Sequence, residues 1–455
     1  MPQRSTIVNN NSRTTWALLA LCAGLIVTPG RVLSDAPRTH DRASREDRVP
    51  PSAEPLTLRR ALALAAQHSP VLDAAGARLG QAAARARAAR RYPHNPELET
   101  EVASRRGDDG SRAVDFEVGV AQRVSLAGQR RRTRRAAEAF ADAARGRRDR
   151  VTQEVGAAVE LAFVDALRAR DLLAVADADA ALGRALYVAT ERRLSAGAGT
   201  ELDLAVAAAE VGRVERALAE AESASIAARA TLAERVGMPP AALPEPAGSL
   251  ADDLASESED AAVPALEVCL RGAAEHRPDL LAWDAHRRAE AARVAVERAA
   301  AVPDLVVGAF AGREEGTDTL VGGRVSIALP LFTRNQGGVA AQRAAAREAA
   351  ANRDAAALAV AREVVAAHGA YEAATRAARA LERRVVASAE QSASLLRKAF
   401  EAGRASWVDV LVMRRTLFEA RRALIESRAA RRRARVRLDL AIGERAFFSH
   451  AERSR

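Results

Sequence analysis

The chain has 455 residues, a formal net charge of +10 and two cysteines, and 49% of its residues are apolar although only 3% are aromatic. Two cysteines exclude a disulfide scaffold and most structural zinc sites. A charged fraction of 28% excludes a bundle of membrane-spanning helices. The basic balance could reflect nucleic-acid binding. However, nearly all of the basic residues are arginine, and Lys398 is the single lysine. A GC-rich genome explains this bias better, so we expect no nucleic-acid partner.

The N-terminus is typical of an export signal. Arg4 and Arg13 precede an apolar run over residues 16–27, which is too short to cross a bilayer comfortably and ends near a Pro-Gly pair. A positive start, a short apolar run and small residues after it predict a signal peptide over 1–34, cleaved after Ser34. The alternatives are a buried helix and a single membrane anchor.

Cys22 raises the question of a lipid anchor. A lipidation site normally has a small residue immediately before the cysteine, whereas Leu21 precedes Cys22 inside the apolar run. We therefore expect Cys22 to be removed with the signal peptide, and the sequence alone leaves its lipidation open. The polar, proline-containing residues 35–56 predict a flexible leader.

The rest of the chain repeats itself with a period of about 207 residues. The corresponding landmarks are 68–74 with 276–282, 196–197 with 402–403, and Gly237 with Gly443. Nearly equal spacings over such a length indicate an internal duplication.

The duplication predicts the domain organisation. A first repeat over 57–239 is followed by a proline- and acid-rich linker over 240–264. A second repeat covers 265–445, and residues 446–455 form a C-terminal tail.

Each repeat predicts a helix of about 30 residues, two strands, a very long helix and a second long helix. The predicted helices are 58–90, 130–195 and 201–237, and then 265–301, 338–401 and 406–442. Apolar residues in the longest helices recur at alternating spacings of four and three, which is the period of a coiled coil. These seam positions are Val155, Val159, Ala162, Ala166, Ala169, Leu173, Ala176 and Ala180, and then Val360, Val364, Ala367, Tyr371, Ala374, Ala378, Leu381 and Val385.

Four segments alternate in polarity along the chain, as transmembrane β-strands do, and the alternation is weaker in the third, where Val306 and Phe310 stand on the polar side. The apolar positions are Leu98, Thr100 and Val102; Val114, Phe116, Val118 and Val120; Leu305, Val307, Ala309 and Ala311; and Val321, Gly323, Val325, Ile327 and Leu329. The predicted hairpin turns lie at 106–110 and 315–318. Two hairpins alone leave edges that a bilayer does not tolerate. Either several chains combine into one barrel, or the hairpins lie on a soluble sheet.

Together these features resemble the TolC family of outer-membrane efflux channels, and within it the heavy-metal branch of CzcC- and CusC-like proteins. The resemblance covers about residues 57–445 and rests on a combination of motifs. They are Asn95-Pro96-Glu97-Leu98, Leu126-Ala127-Gly128-Gln129-Arg130, 329–337, and the helix–turn–helix segments at 193–203 and 400–409.

The resemblance implies a mainly α fold with a membrane β-barrel. Each protomer of a homotrimer would contribute four β-strands to one barrel in the outer membrane, and long antiparallel coiled-coil helices would form a periplasmic tunnel. Such a channel contacts outer-membrane lipid, a periplasmic adaptor and an inner-membrane pump of the resistance–nodulation–division class. It is a passive exit duct, here for heavy-metal cations, and neither an enzyme nor a cofactor-binding protein.

Five acidic residues alternate along the first predicted hairpin and would face the lumen of the barrel. They are Glu97, Glu99, Glu101, Asp115 and Glu117. Tripled by symmetry, their charges would favour cations. The alternative is that a barrel lumen is polar in any case, and that Arg105, Arg106 or Arg123 neutralises some of these carboxylates.

The turns between the long helices form the periplasmic tip by the same resemblance, where the adaptor would dock. The residues are Gly197, Thr200 and Asp203 in the first repeat and Gly403, Ser406 and Asp409 in the second. The glycines permit a tight reversal, the hydroxyls can cap the next helix, and the carboxylates fall in its first turn, where the helix dipole favours them. These structural roles and docking are compatible.

No catalytic, nucleotide-binding or metal-binding motif is present in the sequence, so no residue is assigned such a role. We expect the basic run at 431–437 to form a solvated or interhelical charged face. The prediction is an outer-membrane channel subunit of a tripartite efflux system. A drug-efflux or type I secretion channel of the same family is the near alternative. An exported coiled-coil structural protein without a pore is the alternative from another class.

Overall fold

The computed structural model describes residues 55–106, 112–250, 263–314, 318–382 and 407–443, with isolated helical positions at 388, 391–392 and 394–396. The first repeat contains α1 (Leu58–His68), α2 (Pro70–Ala88), β1 (Glu97–Arg106), β2 (Arg112–Val124), α3 (Gln129–Ser195) and α4 (Glu201–Val236). The second contains α5 (Leu266–His276), α6 (Pro278–Ala299), β3 (Leu305–Glu314), β4 (Asp318–Ile327), α7 (Gln336–Ala380) and α8 (Trp407–Ile442). Among these helices, none is long and apolar enough to cross a membrane.

Each repeat begins with two helices where the sequence predicted one. Pro70 and Pro278 are the first residues of α2 and α6, and the residues before them, Ser69 and Arg277, have extended backbone. Proline has no backbone N–H and disfavours helical backbone in the residue that precedes it. The single starting helices of about 30 residues were therefore a wrong prediction.

The predicted coiled-coil seam is confirmed in both repeats. Buried seam residues are Val159, Ala162, Ala166, Ala169 and Ala180 on α3 and Val360, Val364, Tyr371 and Ala378 on α7. The last predicted seam position, Val385, lies outside the described residues. The longest helix, α3, is unbroken over 67 residues, and at 1.5 Å per residue it is about 100 Å long. It packs against α2, α4, α6 and α8 and so joins the two repeats.

The four strands form one antiparallel sheet in the order β1-β2-β3-β4. The register places predicted apolar residues opposite one another: Leu98 with Val120, Val118 with Ala311, and Val307 with Val325. One face is therefore apolar across all four strands, as predicted, apart from arginines and Gln122 near the strand ends. The other face is polar on β1 and β2, and on β3 it also carries Val306 and Phe310. Of the predicted hairpin turns at 106–110 and 315–318, Arg106 and Asp318 belong to strands β1 and β4, and the other residues lie outside the described ones.

The fourth strand is shorter than predicted. It ends at Ile327 and does not reach Leu329. Ile327 pairs with Leu305, the first residue of β3, so β3 offers no partner beyond it. β1 and β4 are the edge strands, and within the described chain each pairs on one side only.

Both repeats close with the same junction, in which the last helix ends against the break between the first two. Gly237 follows α4 with φ 85°, and a Cβ there would lie 2.5 Å from the carbonyl oxygen of His68. Gly443 follows α8 with φ 81°, and a Cβ there would lie 3.0 Å from the Cα of Arg277. Left-handed backbone and close approach both require glycine.

Replacing Gly237 with alanine tests this junction. Gly237→Ala should destabilise the fold by about 3 kcal/mol, because the methyl group would collide with the His68 carbonyl at an unfavourable φ. Gly212→Ala is the matched control, since Gly212 lies inside α4 with open space at its Cβ position. That change should stabilise the fold by up to about 1 kcal/mol. Thermal unfolding followed by circular dichroism measures both; equal effects would contradict the junction.

Candidate functional site

The polar face of the sheet carries all five predicted acidic residues and two more. They are Glu97, Glu99, Glu101, Asp115, Glu117, Glu314 and Asp318. Three arginines, Arg105, Arg123 and Arg324, lie on the same face of the described strands, so seven negative charges face three positive ones. The apolar face of these strands carries no acidic residue. The sheet therefore separates a negative face from an uncharged one, apart from arginines near its turn end.

Arg324 on β4 bridges two of the predicted acidic residues. Its Nη1 lies 2.8 Å from Glu99 Oε2, and its Nη2 lies 2.6 Å from Glu117 Oε1. Its Cζ lies 5.3 Å from the centroid of the Phe310 ring, a cation–π distance. The ring lies over Gly322, where a Cβ would be 2.6 Å from it. Sequence analysis missed this role, because only the pairing of β2 with β3 brings β4 near the first hairpin.

The Arg324–Glu99 contact also reports the curvature of the sheet. β4 and β1 are separated by two strands, which is roughly 14 Å at the usual strand spacing. Side chains that rise perpendicular to a flat sheet would not meet over that distance. The direct contact at 2.8 Å indicates that the sheet curves towards its polar face.

Arg105 neutralises a second part of the polar face. Its Nε lies 3.2 Å from Asp115, and its Nη2 lies 2.7 Å from Glu314. The predicted pairing with Arg105 is confirmed. Pairing with Arg106 was a wrong alternative, because a step of one residue places that side chain on the apolar face. Arg123 makes no ion pair with a carboxylate among the described residues.

Two of the predicted acidic residues keep an unpaired charge. Glu97 and Glu101 are exposed, and neither makes an ion pair with another residue in the described parts of the chain. Both lie on β1, an edge strand. No group of three or more His, Cys, Asp or Glu side chains within the described ranges is arranged to hold a metal ion.

The opposite face of the sheet is apolar and open. Val102, Val321 and Val325 are 73%, 76% and 69% exposed. Leu98 and Val120 continue the same surface across the first hairpin. An exposed apolar surface that spans four strands marks a contact with another chain or with lipid.

The turn between α3 and α4 has the predicted construction. Gly197 has left-handed backbone, with φ 74°, and the N–H of Ala198 donates to the Arg193 carbonyl at 2.8 Å. The Thr200 hydroxyl accepts from the Asp203 N–H, and the Asp203 carboxylate accepts from the Thr200 N–H, both at 3.1 Å. This reciprocal cap closes the start of α4.

The second helix–turn–helix is described only in part. Gly403 and Ser406 lie outside the described residues. Asp409 is exposed in the first turn of α8, as predicted. Contact of these six turn residues with an adaptor stays a prediction.

A buried ion cluster that sequence analysis missed fastens α8 to the first repeat. Arg414 Nη1 lies 2.8 Å from Asp179 Oδ1 on α3, and its Nη2 contacts Glu210 on α4. Glu210 also pairs with Arg213 at 2.6 Å. The Arg213 hydrogen bond lowers the pKa of Glu210, whereas burial raises the pKa of Asp179 against the opposing charges of Arg414 and Arg213. Only the relative alignment of three helices brings these residues together.

The arginine run near the C-terminus faces the same long helix. Arg432 Nη2 lies 2.8 Å from Glu160, which is fully buried on α3, and Arg433 Nη1 lies 2.7 Å from Asp165. The expectation of an interhelical charged face over 431–437 is confirmed at these two residues.

A duplicated helical architecture, joined to a curved sheet with one apolar and one negative face, defines the class of outer-membrane channels. The chain matches the family described as outer membrane efflux protein over residues 61–238 and 269–444. It is 32% identical over 375 residues to the cobalt-zinc-cadmium resistance protein CzcC of Cupriavidus metallidurans. That alignment covers 81% of this chain and 86% of CzcC.

Two further similarities agree with this match. The chain is 31% identical over 334 residues to protein CyaE of Bordetella pertussis, covering 70% of this chain and 69% of CyaE. A solved structure of CusC, a protein that forms a transmembrane channel, has a TM-score of 0.71 at 19% identity, and the match covers 85% of this chain and 92% of CusC. That likeness shows the fold alone.

The chain therefore belongs to the outer membrane efflux protein family, and it is an outer-membrane efflux channel. The predicted resemblance to CzcC- and CusC-like channels is confirmed. The alternative of a coiled-coil structural protein without a pore is set aside, because both repeats match a channel family.

Removing Arg414 tests the buried cluster. Arg414→Ala removes the buried cation that Asp179 and Glu210 share, leaves them only the more exposed Arg213, and should destabilise the fold by about 2 kcal/mol. Arg415→Ala is the matched control, because Arg415 pairs with Glu419 on the exposed side of the same helix. That change should alter stability by less than about 1 kcal/mol. Thermal unfolding measures both variants, and an Arg414→Ala effect as small as the control would contradict a fastening role.

Proposed function

We propose that this chain is the outer-membrane channel subunit of a tripartite efflux system and that its substrates are heavy-metal cations. The observation that carries the proposal is the 32% identity, over 81% of the chain, to a protein named for cobalt, zinc and cadmium resistance. The negative excess on the polar face of the sheet supports a cationic substrate. The channel is a passive exit: it catalyses no reaction and uses no cofactor.

A homotrimer accounts for the two open edges of the sheet. Four strands are too few to enclose a lumen, and an open edge is not tolerated in lipid. β1 and β4 run in opposite directions, so β4 of one protomer can pair antiparallel with β1 of the next. In such a barrel the polar face lines the lumen, and the exposed apolar face contacts outer-membrane lipid.

The long helices supply the periplasmic tunnel in this proposal. α3 alone is about 100 Å long, which is several times the thickness of a bilayer. The turn at 196–200 lies at the end of α3 that is distant from the sheet, so it is placed to contact a periplasmic adaptor. The adaptor in turn connects the channel to an inner-membrane pump of the resistance–nodulation–division class, which supplies the energy.

A channel of the same family for drugs or for type I secretion is the second candidate. The identity to CyaE, 31% over 334 residues, favours keeping it, because the name of that relative specifies no metal. The pump and adaptor select most of the substrates, so the two candidate channels share one fold and differ in the partner proteins that deliver their substrates.

A deletion strain separates these two candidates. Loss of this channel should raise sensitivity to cobalt, zinc and cadmium salts, and the wild-type gene supplied on a plasmid should restore resistance. Sensitivity to a panel of drugs should not change. Growth inhibition by each compound is the measurement, and sensitivity to the drugs with unchanged metal tolerance would contradict the metal assignment.

The charge of the polar face is tested by ion selectivity in a planar bilayer. Arg324→Gln frees Glu99 and Glu117 and should raise the preference for potassium over chloride. Glu101→Gln should lower it. Arg313→Gln is the matched control, because Arg313 pairs with Phe116 on the apolar face and should leave selectivity unchanged. Reversal potentials in a salt gradient give the ratio, and one ratio for all variants would contradict a lumen-facing polar surface.

A further inference from the structure

The two repeats correspond residue by residue on both sides of the sheet, with a constant offset of 207 positions. Before the strands, Pro96-Glu97-Leu98 corresponds to Pro303-Asp304-Leu305. After them, Gly128-Gln129 corresponds to Asn335-Gln336, and both Gly128 and Asn335 have left-handed backbone. The observed registers agree with the same offset. Leu98 opposite Val120 in the first hairpin becomes Leu305 opposite Ile327 in the second.

The two glutamines make the same local hydrogen bond. Gln129 Oε1 accepts from the N–H of Ala127 at 2.9 Å, and Gln336 Oε1 accepts from the N–H of Arg334 at 2.8 Å. Each bond fixes the glutamine at the start of a long helix, α3 or α7.

Their amide nitrogens nevertheless differ in what they bind. Gln129 Nε2 donates across to the second repeat, to the Asp304 carboxylate at 3.3 Å and to the Val302 carbonyl at 3.4 Å. Gln336 is exposed, and its Nε2 has no hydrogen-bond partner among the described residues. The residue equivalent to Asp304 is Glu97, whose carboxylate is likewise without an ion-pair partner in the described chain. The second copy of this contact is therefore incomplete within one chain.

We propose that a neighbouring copy of this chain completes it. Gln336 Nε2 of one copy donates to the Glu97 carboxylate of the next, and β4 pairs with the partner's β1 in the register that β2 and β3 already show. Val120 opposite Ala309 then becomes Ile327 opposite the partner's Val102. This inference rests on the proposed homotrimer. It adds the strand register of the subunit interface and one polar contact across it, between Gln336 and the partner's Glu97, which is called the clasp below.

The charges and surfaces on the two edges are compatible with this register. It places exposed apolar residues of both edges, Ile327 and Val102, on the same lipid-facing side. It also places Arg324 opposite the partner's Arg105. Each of these arginines is already held by two carboxylates of its own chain, so their repulsion is offset. Glu97 then acts as a subunit contact rather than as a free lumen charge.

Cysteine cross-linking tests the register in the full-length protein. In a Cys269→Ala background, Val102→Cys with Ile327→Cys should give covalent dimers and trimers under mild oxidation, because directly opposed residues lie about 5 Å apart. Thr100→Cys or Ser104→Cys with Ile327→Cys represent a slip of two residues and should give little product. Single-cysteine parents control for chance collisions. Preferential cross-linking of a slipped pair would overturn the proposed register.

A charge exchange tests the clasp. Gln336→Glu faces the partner's Glu97 with a second carboxylate and should lower the temperature at which trimers dissociate in detergent. Adding Glu97→Gln restores an amide–carboxylate pair and should recover that temperature. Gln129→Glu is the comparison, since it opposes Asp304 within one chain and should lower protomer stability instead. The clasp would be overturned if Gln336→Glu left the dissociation temperature of the trimer unchanged. It would also be overturned if adding Glu97→Gln failed to restore that temperature.

The outcomes also separate this inference from the proposed function. Trimers that conduct ions but cross-link in another register would overturn the proposed interface and would not affect the proposed channel function. A wild-type protein that forms neither trimers nor a conducting pore would overturn both.

Discussion

Unpaired backbone at a sheet edge is the constraint on which the rest of the structure depends. A strand within lipid must satisfy its N–H and C=O groups with another strand, and the sheet in the described part of this chain has four strands and two edges that pair on one side only. In the proposed function the exposed apolar face lies in lipid, where those edges cannot stay open. The sheet then has a complete apolar surface but incomplete backbone hydrogen bonding at its two edges. Pairing with further copies of the chain supplies the missing hydrogen bonds in that proposal.

The helical part of the chain has no unpaired backbone edge and is held together by side-chain packing. A helix satisfies its own backbone, so α3 can be about 100 Å long without an edge. It needs only a narrow apolar seam, which is why alanine at seam positions is sufficient and aromatic residues are few. The junctions at Gly237 and Gly443 fasten the helices within each repeat, and the cluster around Arg414 fastens the last helix of the second repeat to the first repeat. The unbroken helix α3 runs from the end of β2 to the turn before α4.

Much of this architecture could be predicted from local pattern. The alternation along β1 and β2 placed the five acidic residues on one face, and the duplication located the turns and the closing glycines. What could not be predicted depends on contacts between distant segments. Arg324 stands in the polar alternation of β4, but its two carboxylates belong to β1 and β2, and only the pairing of β2 with β3 brings them within reach. The cluster of Arg414 likewise depends on the alignment of three helices. The breaks at Pro70 and Pro278 were a different failure, because the chemistry of proline was visible and the helical period was given more weight.

The central claim is that copies of this chain assemble into a pore through the outer membrane. Single-channel recording from purified, detergent-extracted trimers in a planar bilayer tests it most directly. The account predicts discrete conductance steps with a preference for cations, arising from the negative excess on the polar face of the sheet. Trimers that insert stably into the bilayer and yet carry no current, even when the turn ends of the long helices are opened by proteolysis, would contradict it.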